Sequence, residues 1–352
     1  MSILIYKWRI LLKISEVDIT RFTHGHSLLL SILILLSLLS GCERIDDWEV
    51  QRPVVVHPCA SLPSARSGAS AFVLGGKAFV LGGRSNSNAR EVEYCSDTWC
   101  YDAVSDTWHE ISSPPCVGRV QAVAVAVNNV AYYGMGFAGN GPYALATYLN
   151  DFWSFDGSEW RRLEDFPGSG SDALVAFPTD TAIFVALGYN PLFQPEVYCY
   201  HIASGMWSRC ANITHLEPAA GCVGGYVGGR YFAGGGFMEI TQQRWAEYLP
   251  ASDTWQLRQS MPYPGRLFAP TAQKDDEIYV FGGMIWGSKT VGGGATNTIY
   301  SYSPAGDSWQ LRGRLPKATY NGVAFTINGV MYYGLGQDDR GEVHGELYSI
   351  KP

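Results

Sequence analysis

Short apolar runs that end in glycine recur along the chain at a nearly constant interval. The six runs are AFVLGG (78–83), YYGMG (132–136), IFVALG (183–188), YFAGGG (231–236), IYVFGG (278–283) and YYGLG (332–336). Their last glycines are 53, 52, 48, 47 and 53 residues apart. A fixed period of this size indicates one supersecondary unit repeated six times.

A second aromatic segment follows each of the first five runs and is itself followed by a tryptophan. The pairs are Tyr101 with Trp108, Phe155 with Trp160, Tyr200 with Trp207, Tyr248 with Trp255, and Tyr302 with Trp309. Turn residues such as DAVSD, LPASD and SPAGD lie between the two aromatics of three pairs. Each pair therefore predicts two strands joined as a hairpin.

Each unit thus contains a strand that ends in glycine, then an aromatic strand, then a tryptophan at a similar spacing. This pattern resembles the kelch repeat, which forms one four-stranded blade of a β-propeller. The resemblance covers residues 46–352, and the string YLNDFWSFD is similar to kelch lipoproteins of Bacteroidetes-type bacteria. It implies an all-β, six-bladed propeller of the superfamily that includes galactose oxidase and sialic acid mutarotase. The expected blades are 66–115, 118–167, 170–214, 218–264, 265–317, and 319–352 completed by 46–50.

The sixth repeat is incomplete, which bears on how the ring closes. ELYSIKP (346–352) matches TIYSYSP (298–304), but no tryptophan follows it. Asp46-Asp47-Trp48 near the start matches Asp307-Ser308-Trp309. We therefore expect the N-terminal segment 46–50 to supply the outer strand of the last blade, because pairing there removes an open sheet edge.

The N-terminal 41 residues are typical of a targeting segment. The uncharged run 27–41 follows the basic residues Lys7, Arg9, Lys13 and Arg21, as a signal peptide requires, and is short for a spanning helix. It ends in Leu-Ser-Gly before Cys42, which resembles a bacterial lipoprotein box; an ordinary secretory signal is the alternative. We expect a signal peptide at 1–41, lipid on Cys42, and a tether at 42–45. The implied location is the bacterial outer membrane, facing either the periplasm or the outside.

Charge and chemistry narrow the possible partners. The net charge of −7 and the lack of basic runs argue against nucleic acid. The seven cysteines after Cys42 and the scattered histidines show no metal-ligand spacing, so we expect no metal and no cofactor, and buried thiols rather than disulfides. The copper ligand set of galactose oxidase cannot be placed. A monomer attached to the membrane only by lipid is expected.

The candidate site is the mouth formed by the loops at one end of the ring. Counting 17 residues back from each last glycine gives the residues that lead into the inner strands: Arg66, Arg119, Ser171, Ala219, Arg266 and Thr319. Three convergent arginines predict capture of an anion, because guanidinium groups bind carboxylates bidentately; the alternative is that they bond to loop carbonyls and lock the blades. Variable loops add five candidate ligand contacts: Asn86, Asn150, Tyr189, Trp286 and Asp338.

Two functions remain open on the sequence. One is a binding propeller that presents an arginine-lined mouth to an anionic glycan or protein ligand. The other is an exported carbohydrate enzyme such as a sialic acid mutarotase, which would need a carboxylate at the mouth for proton transfer. Glu93, Glu196 and Asp338 are candidates for that carboxylate, and no motif selects one.

Overall fold

The computed structural model describes residues 49–85, 92–139, 147–190, 192–213, 216, 219–287 and 292–352, with only the backbone of Leu192 and Phe193. These residues form six antiparallel four-stranded sheets. The first strands of successive sheets contact one another in a closed ring, the first with the second and so on until the sixth meets the first. The expectation of an all-β propeller with six blades is confirmed.

Each blade runs from an inner strand at the axis to an outer strand at the rim. The first three blades comprise Ser67–Leu74, Lys77–Arg84, Thr98–Asp102 and Thr107–Ile111; Val123–Val127, Val130–Gly134, Phe152–Phe155 and Trp160–Arg162; and Val175–Pro178, Ala182–Ala186, Val197–His201 and Met206–Arg209. The last three comprise Val223–Val227, Arg230–Gly234, Trp245–Leu249 and Thr254–Arg258; Thr271–Lys274, Glu277–Phe281, Thr298–Ser303 and Ser308–Arg314; and Val323–Ile327, Val330–Gly334, Leu347–Lys351 and Val55–Cys59.

Four of the loops that join the second and third strands of a blade contain a short two-stranded sheet. They are Phe137–Ala138 with Thr147–Tyr148, Tyr189–Asn190 with Leu192–Phe193, Phe237–Met238 with Ile240–Thr241, and Met284–Ile285 with Gly294–Ala295. These pairs lie on the face at which the inner strands begin.

The core is divided into six apolar clusters, one between each pair of neighbouring blades. The aromatic pairs of the repeat lie in these clusters, with Tyr302 and Trp309 ring centroids 5.0 Å apart. The tryptophans also link blades: the indole nitrogen of Trp160 donates to Ser112 O (3.0 Å), just past the outer strand of the preceding blade. Trp108, Trp207 and Trp309 donate to Ala60, Glu164 and Gln259 in the same way.

The N-terminal segment closes the ring, but with other residues than expected. The outer strand of the sixth blade is Val55–Cys59, paired antiparallel with Leu347–Lys351. Val50 instead forms a parallel bridge with Leu311 of the fifth blade. The prediction of 46–50 was wrong because Val56 and Ile350 occupy the paired positions where other blades carry tryptophan and tyrosine, so the aromatic pattern could not identify this strand.

Among the described residues, no helix has the length and apolar character needed to cross a bilayer. The expected signal peptide, the tether and Cys42 lie outside the described residues. The seven other cysteines are free thiols, with Cys100 and Cys199 buried.

Candidate functional site

Two of the three predicted arginines are held by carboxylates inside their own blades. Arg66 donates to both carboxylate oxygens of Asp97 (2.9 and 2.7 Å) and to Gly82 O (3.1 Å). Arg119 repeats this with Asp151 (2.6 and 2.8 Å) and Met135 O (3.2 Å). Both arginine side chains are at most 1% exposed. The picture of free guanidinium groups around an open mouth is therefore wrong for this pair.

The carboxylates of these pairs remain charged. Burial alone would raise the pKa of Asp97 and of Asp151, but hydrogen bonds and charge from Arg66 and Arg119 hold each pKa below its ordinary value. Asp97 and Asp151 each lie directly before the third strand of their blade, so the pairs fasten the lead-in residue to the start of that strand.

The third arginine, Arg266, is also buried, and none of the described residues supplies it with such a carboxylate. It donates to Gly265 O (2.6 Å) and to the Thr298 hydroxyl (2.5 Å), and its guanidinium lies over the Tyr300 ring. Threonine replaces the aspartate of the other two blades, so the charge is not neutralised locally. Burial accordingly lowers the pKa of Arg266 to about 10.

The lead-in residues also join neighbouring blades through the main chain. The last glycine of a run donates its N–H to the carbonyl of the lead-in residue of the next blade, as in Gly83 to Arg119 O (2.7 Å) and Gly336 to Arg66 O (2.9 Å). Gly83 adopts φ 93°, and a Cβ there would lie 3.1 to 3.2 Å from Ala69 and Ser67. This close approach explains the repeated glycine.

Two residues after each lead-in position lies one member of a ring around the axis, and backbone hydrogen bonds join five of its six neighbouring pairs. Its six members, here called the collar, all have φ between 52° and 70°: Gly68, Gln121, Ala173, Gly221, Phe268 and Asn321. Successive N–H groups donate to neighbouring carbonyls, as in Gln121 to Gly68 O and Gly68 to Asn321 O (2.8 Å each). The collar was not predicted, although its members all lie 15 residues before the last glycines.

Next to the collar, the strand ends form the rim of the mouth. The residue after each lead-in position pairs with the residue after the last glycine of its run: Ser67–Arg84, Val120–Phe137, Asp172–Tyr189, Ala220–Phe237, Leu267–Met284 and Tyr320–Gln337. Between blades one and six, Arg84 Nη2 donates to Gln337 Oε1 (2.7 Å), and Gln337 Nε2 donates to the Tyr320 hydroxyl. Gln121 Nε2 donates to Asn321 Oδ1 nearby (3.3 Å).

Arg84 is the cation of this rim that sequence reasoning missed. It is half-buried, and among the described residues no carboxylate lies within 4.0 Å of it. Its position directly after the last glycine of the first run was a usable signal, since no other run is followed by a basic residue.

The predicted loop residues have different roles in the structure. Trp286 is 51% exposed and packs against Phe237 (ring centroids 5.4 Å apart), so an aromatic face is available to a ligand. Asn150 instead donates to Phe166 O (2.9 Å) and Gly168 O (2.7 Å), which fastens a loop. Tyr189 lies half-buried on the rim, paired with Asp172. Asn86 lies outside the described residues.

All three candidate carboxylates for proton transfer are hydrogen-bonded or ion-paired. Glu93 Oε2 accepts from the Ser85 hydroxyl (2.5 Å), and Glu196 lies 3.5 Å from Arg209. Asp338 Oδ1 accepts from the N–H groups of Arg340 (2.9 Å) and Glu342 (3.0 Å), which shapes its loop.

A fourth carboxylate, Asp172, was missed by the sequence reasoning. It belongs to the rim, one residue before Ala173 of the collar, and is 8% exposed. Its Oδ1 is buried and has no hydrogen-bond partner in the described part of the chain. Burial raises the pKa of Asp172 to about 7, which is suitable for proton transfer near neutral pH.

Behind the collar, the channel along the axis is narrow and lined by small residues. It contains two cavities of about 240 Å³ each. Both cavities are lined by Ala71, Ala124, Ala176, Gly224 and Thr271, among other residues. Among the described residues no charged side chain lines either cavity, so capture of an anion is expected at the rim.

These features define a six-bladed β-propeller with a polar and aromatic rim. The Kelch motif family model matches residues 65–115 and 265–315, which are blades one and five. The solved structure of YjhT superposes with a TM-score of 0.69 at 13% identity, covering 84% of this chain and 99% of that one, and it supports the fold alone.

Curated relatives extend the similarity over more of the chain. Kelch-like protein 25 of Xenopus tropicalis is 24% identical over 81% of this chain and 46% of its own length. N-acetylneuraminate epimerases are 23% identical in Pasteurella multocida (55% of this chain, 59% of that protein) and 22% in Brucella suis (82% and 76%). The match thus spans about half the length of the first two relatives.

Proposed function

We propose that this propeller binds a carboxylated sugar of the N-acetylneuraminate kind at its rim. The observation that carries the proposal is Arg84, a half-buried rim cation whose hydrogen-bond partner is the neutral amide of Gln337. The guanidinium groups of Arg66 and Arg119 are already occupied by Asp97 and Asp151, so they cannot serve this purpose. Because an amide is neutral, it does not compensate the positive charge of a guanidinium group, and that charge remains available to the carboxylate of a ligand.

The other rim groups suit the rest of a sugar. Gln337, Tyr320 and Asn321 offer neutral donors and acceptors for hydroxyl groups. The exposed face of Trp286 offers an apolar surface on which a sugar ring can pack. The similarity to proteins named N-acetylneuraminate epimerase supports the same ligand class.

Arg84→Ala is expected to weaken binding of N-acetylneuraminate about 10- to 100-fold, the effect of losing one hydrogen-bonded charge. Titration calorimetry measures it, with Arg161→Ala as the control because Arg161 is an exposed arginine on the second blade. The methyl ester of N-acetylneuraminate should bind wild type about as weakly as the acid binds the variant. Equal affinity of wild type and Arg84→Ala for the acid would remove the basis of the proposal.

A second candidate function, exchange of the sugar anomers, is favoured by Asp172. Mutarotation moves a proton to and from ring and anomeric oxygens, so it needs a group that gains and loses a proton near pH 7. Asp172 is a buried rim carboxyl with a free Oδ1 and a pKa near 7, and the named relatives are epimerases.

Asp172→Asn should leave binding of N-acetylneuraminate intact and reduce anomer exchange about 100-fold or more, as loss of a general acid-base group does. Exchange NMR on the two anomers gives the rate. The pH dependence supplies an independent readout: since the folded pKa is raised, the stability contributed by Asp172 should fall as pH rises from about 4 to 7, and Asp172→Asn should abolish this fall. Acceleration of exchange by the variant equal to wild type would exclude the role.

Export and lipid attachment at Cys42 are part of the proposal and rest on the sequence of residues 1–42. Together they would place the rim in the cell envelope, where exported or surface glycans are available. The intact mass of protein extracted from membranes tests the lipid.

A further inference from the structure

A histidine and two carboxylates converge in the rim loop of the sixth blade. Ligand atoms of Asp338, Glu342 and His344 all lie within 4.8 Å of one another. His344 Nε2 is 3.6 Å from Asp338 Oδ2. Two ligands of one tetrahedral ion, each about 2.0–2.2 Å from the metal, are separated by a similar distance.

An independent observation concerns the buried histidine. His344 is 7% exposed, yet its Nε2 has no hydrogen-bond partner among the residues that the structure describes. Buried polar atoms are nearly always bonded, so an unpartnered nitrogen directed at two carboxylates indicates a missing ligand. The ring is positioned from its other side, where Nδ1 lies 3.5 Å from Glu346 Oε2 and 3.4 Å from Lys317 Nζ.

The two carboxylates have oxygens available. Asp338 Oδ1 is occupied by the N–H groups of Arg340 and Glu342, and Oδ2 is the atom nearest to His344. Glu342 is exposed and lies in the same loop, so its carboxylate can turn toward the other two. A carboxylate beside the second nitrogen of a ligating histidine, as Glu346 is here, is the usual orienting partner in metal sites.

We propose that Asp338, Glu342 and His344 bind one divalent transition-metal ion of the zinc type, with water completing its coordination. One nitrogen and two carboxylate ligands favour such an ion over calcium, which takes six or more oxygen ligands. The ion would brace the loop that begins at Gln337, the residue that holds Arg84. The site stands on its own residues and does not depend on the sugar.

The test uses Zn²⁺ alone, added to the protein after its accessible thiols have been alkylated, so that cysteines do not bind the metal. Calorimetry and metal analysis after dialysis should find one Zn²⁺ per chain, with a raised melting temperature and no comparable effect of Ca²⁺. Glu342→Gln, an exposed change, should weaken Zn²⁺ binding about 10-fold or more, and His344→Gln should abolish it.

The matched controls are Glu239→Gln and His201→Gln, an exposed acid and an exposed histidine on other blades. They should bind Zn²⁺ as wild type does. Retention of binding by both Glu342→Gln and His344→Gln would overturn the proposal, as would equal responses to Zn²⁺ and Ca²⁺. Because Glu342 is at the surface, its variant remains informative even if His344→Gln fails to fold.

Discussion

Replacing Arg119 by alanine is expected to lower the free energy of unfolding by about 3–5 kcal/mol, because it leaves the carboxylate of Asp151 largely buried without its partner. The Asp151 side chain is 15% exposed, and the removed guanidinium also bonds to Met135 O. Denaturant unfolding measures the loss. Arg161→Ala is the control, since its exposed contacts with Asp156 and Glu159 should contribute less than about 1 kcal/mol.

The same pair predicts a dependence on pH. Because the folded pKa of Asp97 and of Asp151 is lowered, the stability contributed by these carboxylates is present above their ordinary pKa and is lost as pH falls through the lowered value. Wild type should therefore lose stability under acid conditions more than Arg119→Ala does. A loss below 1 kcal/mol in Arg119→Ala at neutral pH would show that the pair does not hold the blade together.

Removal of the N-terminal strand should have an effect at least as large. A chain that begins at residue 61 lacks Val55–Cys59, which exposes the edge of Leu347–Lys351 and deprives Trp108 of the Ala60 carbonyl. We expect its melting temperature to fall by about 10 °C or more, since several kcal/mol are lost. Thermal unfolding followed by circular dichroism gives the comparison.

A chain that begins at residue 50 is the matched control, because it keeps both the closing strand and the contacts of Gln51 and Arg52 with the fifth blade. It should melt close to wild type. Addition of a synthetic peptide of residues 50–62 should partly restore the shorter chain. Equal melting temperatures of the two truncated chains would contradict closure by this strand.

The fold was largely predictable because each repeat carries the same local sequence signals. Glycine-ended strands and aromatic hairpins each depend on the conformation of a few residues, and they recur along the chain. The predicted number of blades was therefore correct. The closing strand was misplaced because Val55–Cys59 carries none of those signals. Its membership in the sixth blade follows from pairing with residues almost 300 positions away.

The candidate site was less predictable, and the arginines show why. Their positions around the ring were found correctly by counting from the glycines. Whether Arg66 binds a ligand or stabilises its own blade depends on its ion pair with Asp97. No sequence motif distinguishes this aspartate from the other acidic residues of the chain. Asp172 was missed for the same reason, since the burial of its carboxyl and the lack of a hydrogen-bond partner for Oδ1 among the described residues arise only in the folded chain.

The amino-acid sequence by itself determined the repeat, the blade number and the positions of the strand ends, because these depend on conformational preferences within a few residues. The tertiary structure alone decided which charged groups are neutralised and which remain available. That choice depends on burial and on partners that the fold brings together: Arg66 is ion-paired with Asp97, whereas the guanidinium of Arg84, among the described residues, donates to the amide of Gln337. Charge and solvation are properties of the assembled ring, so they cannot be read from any one repeat.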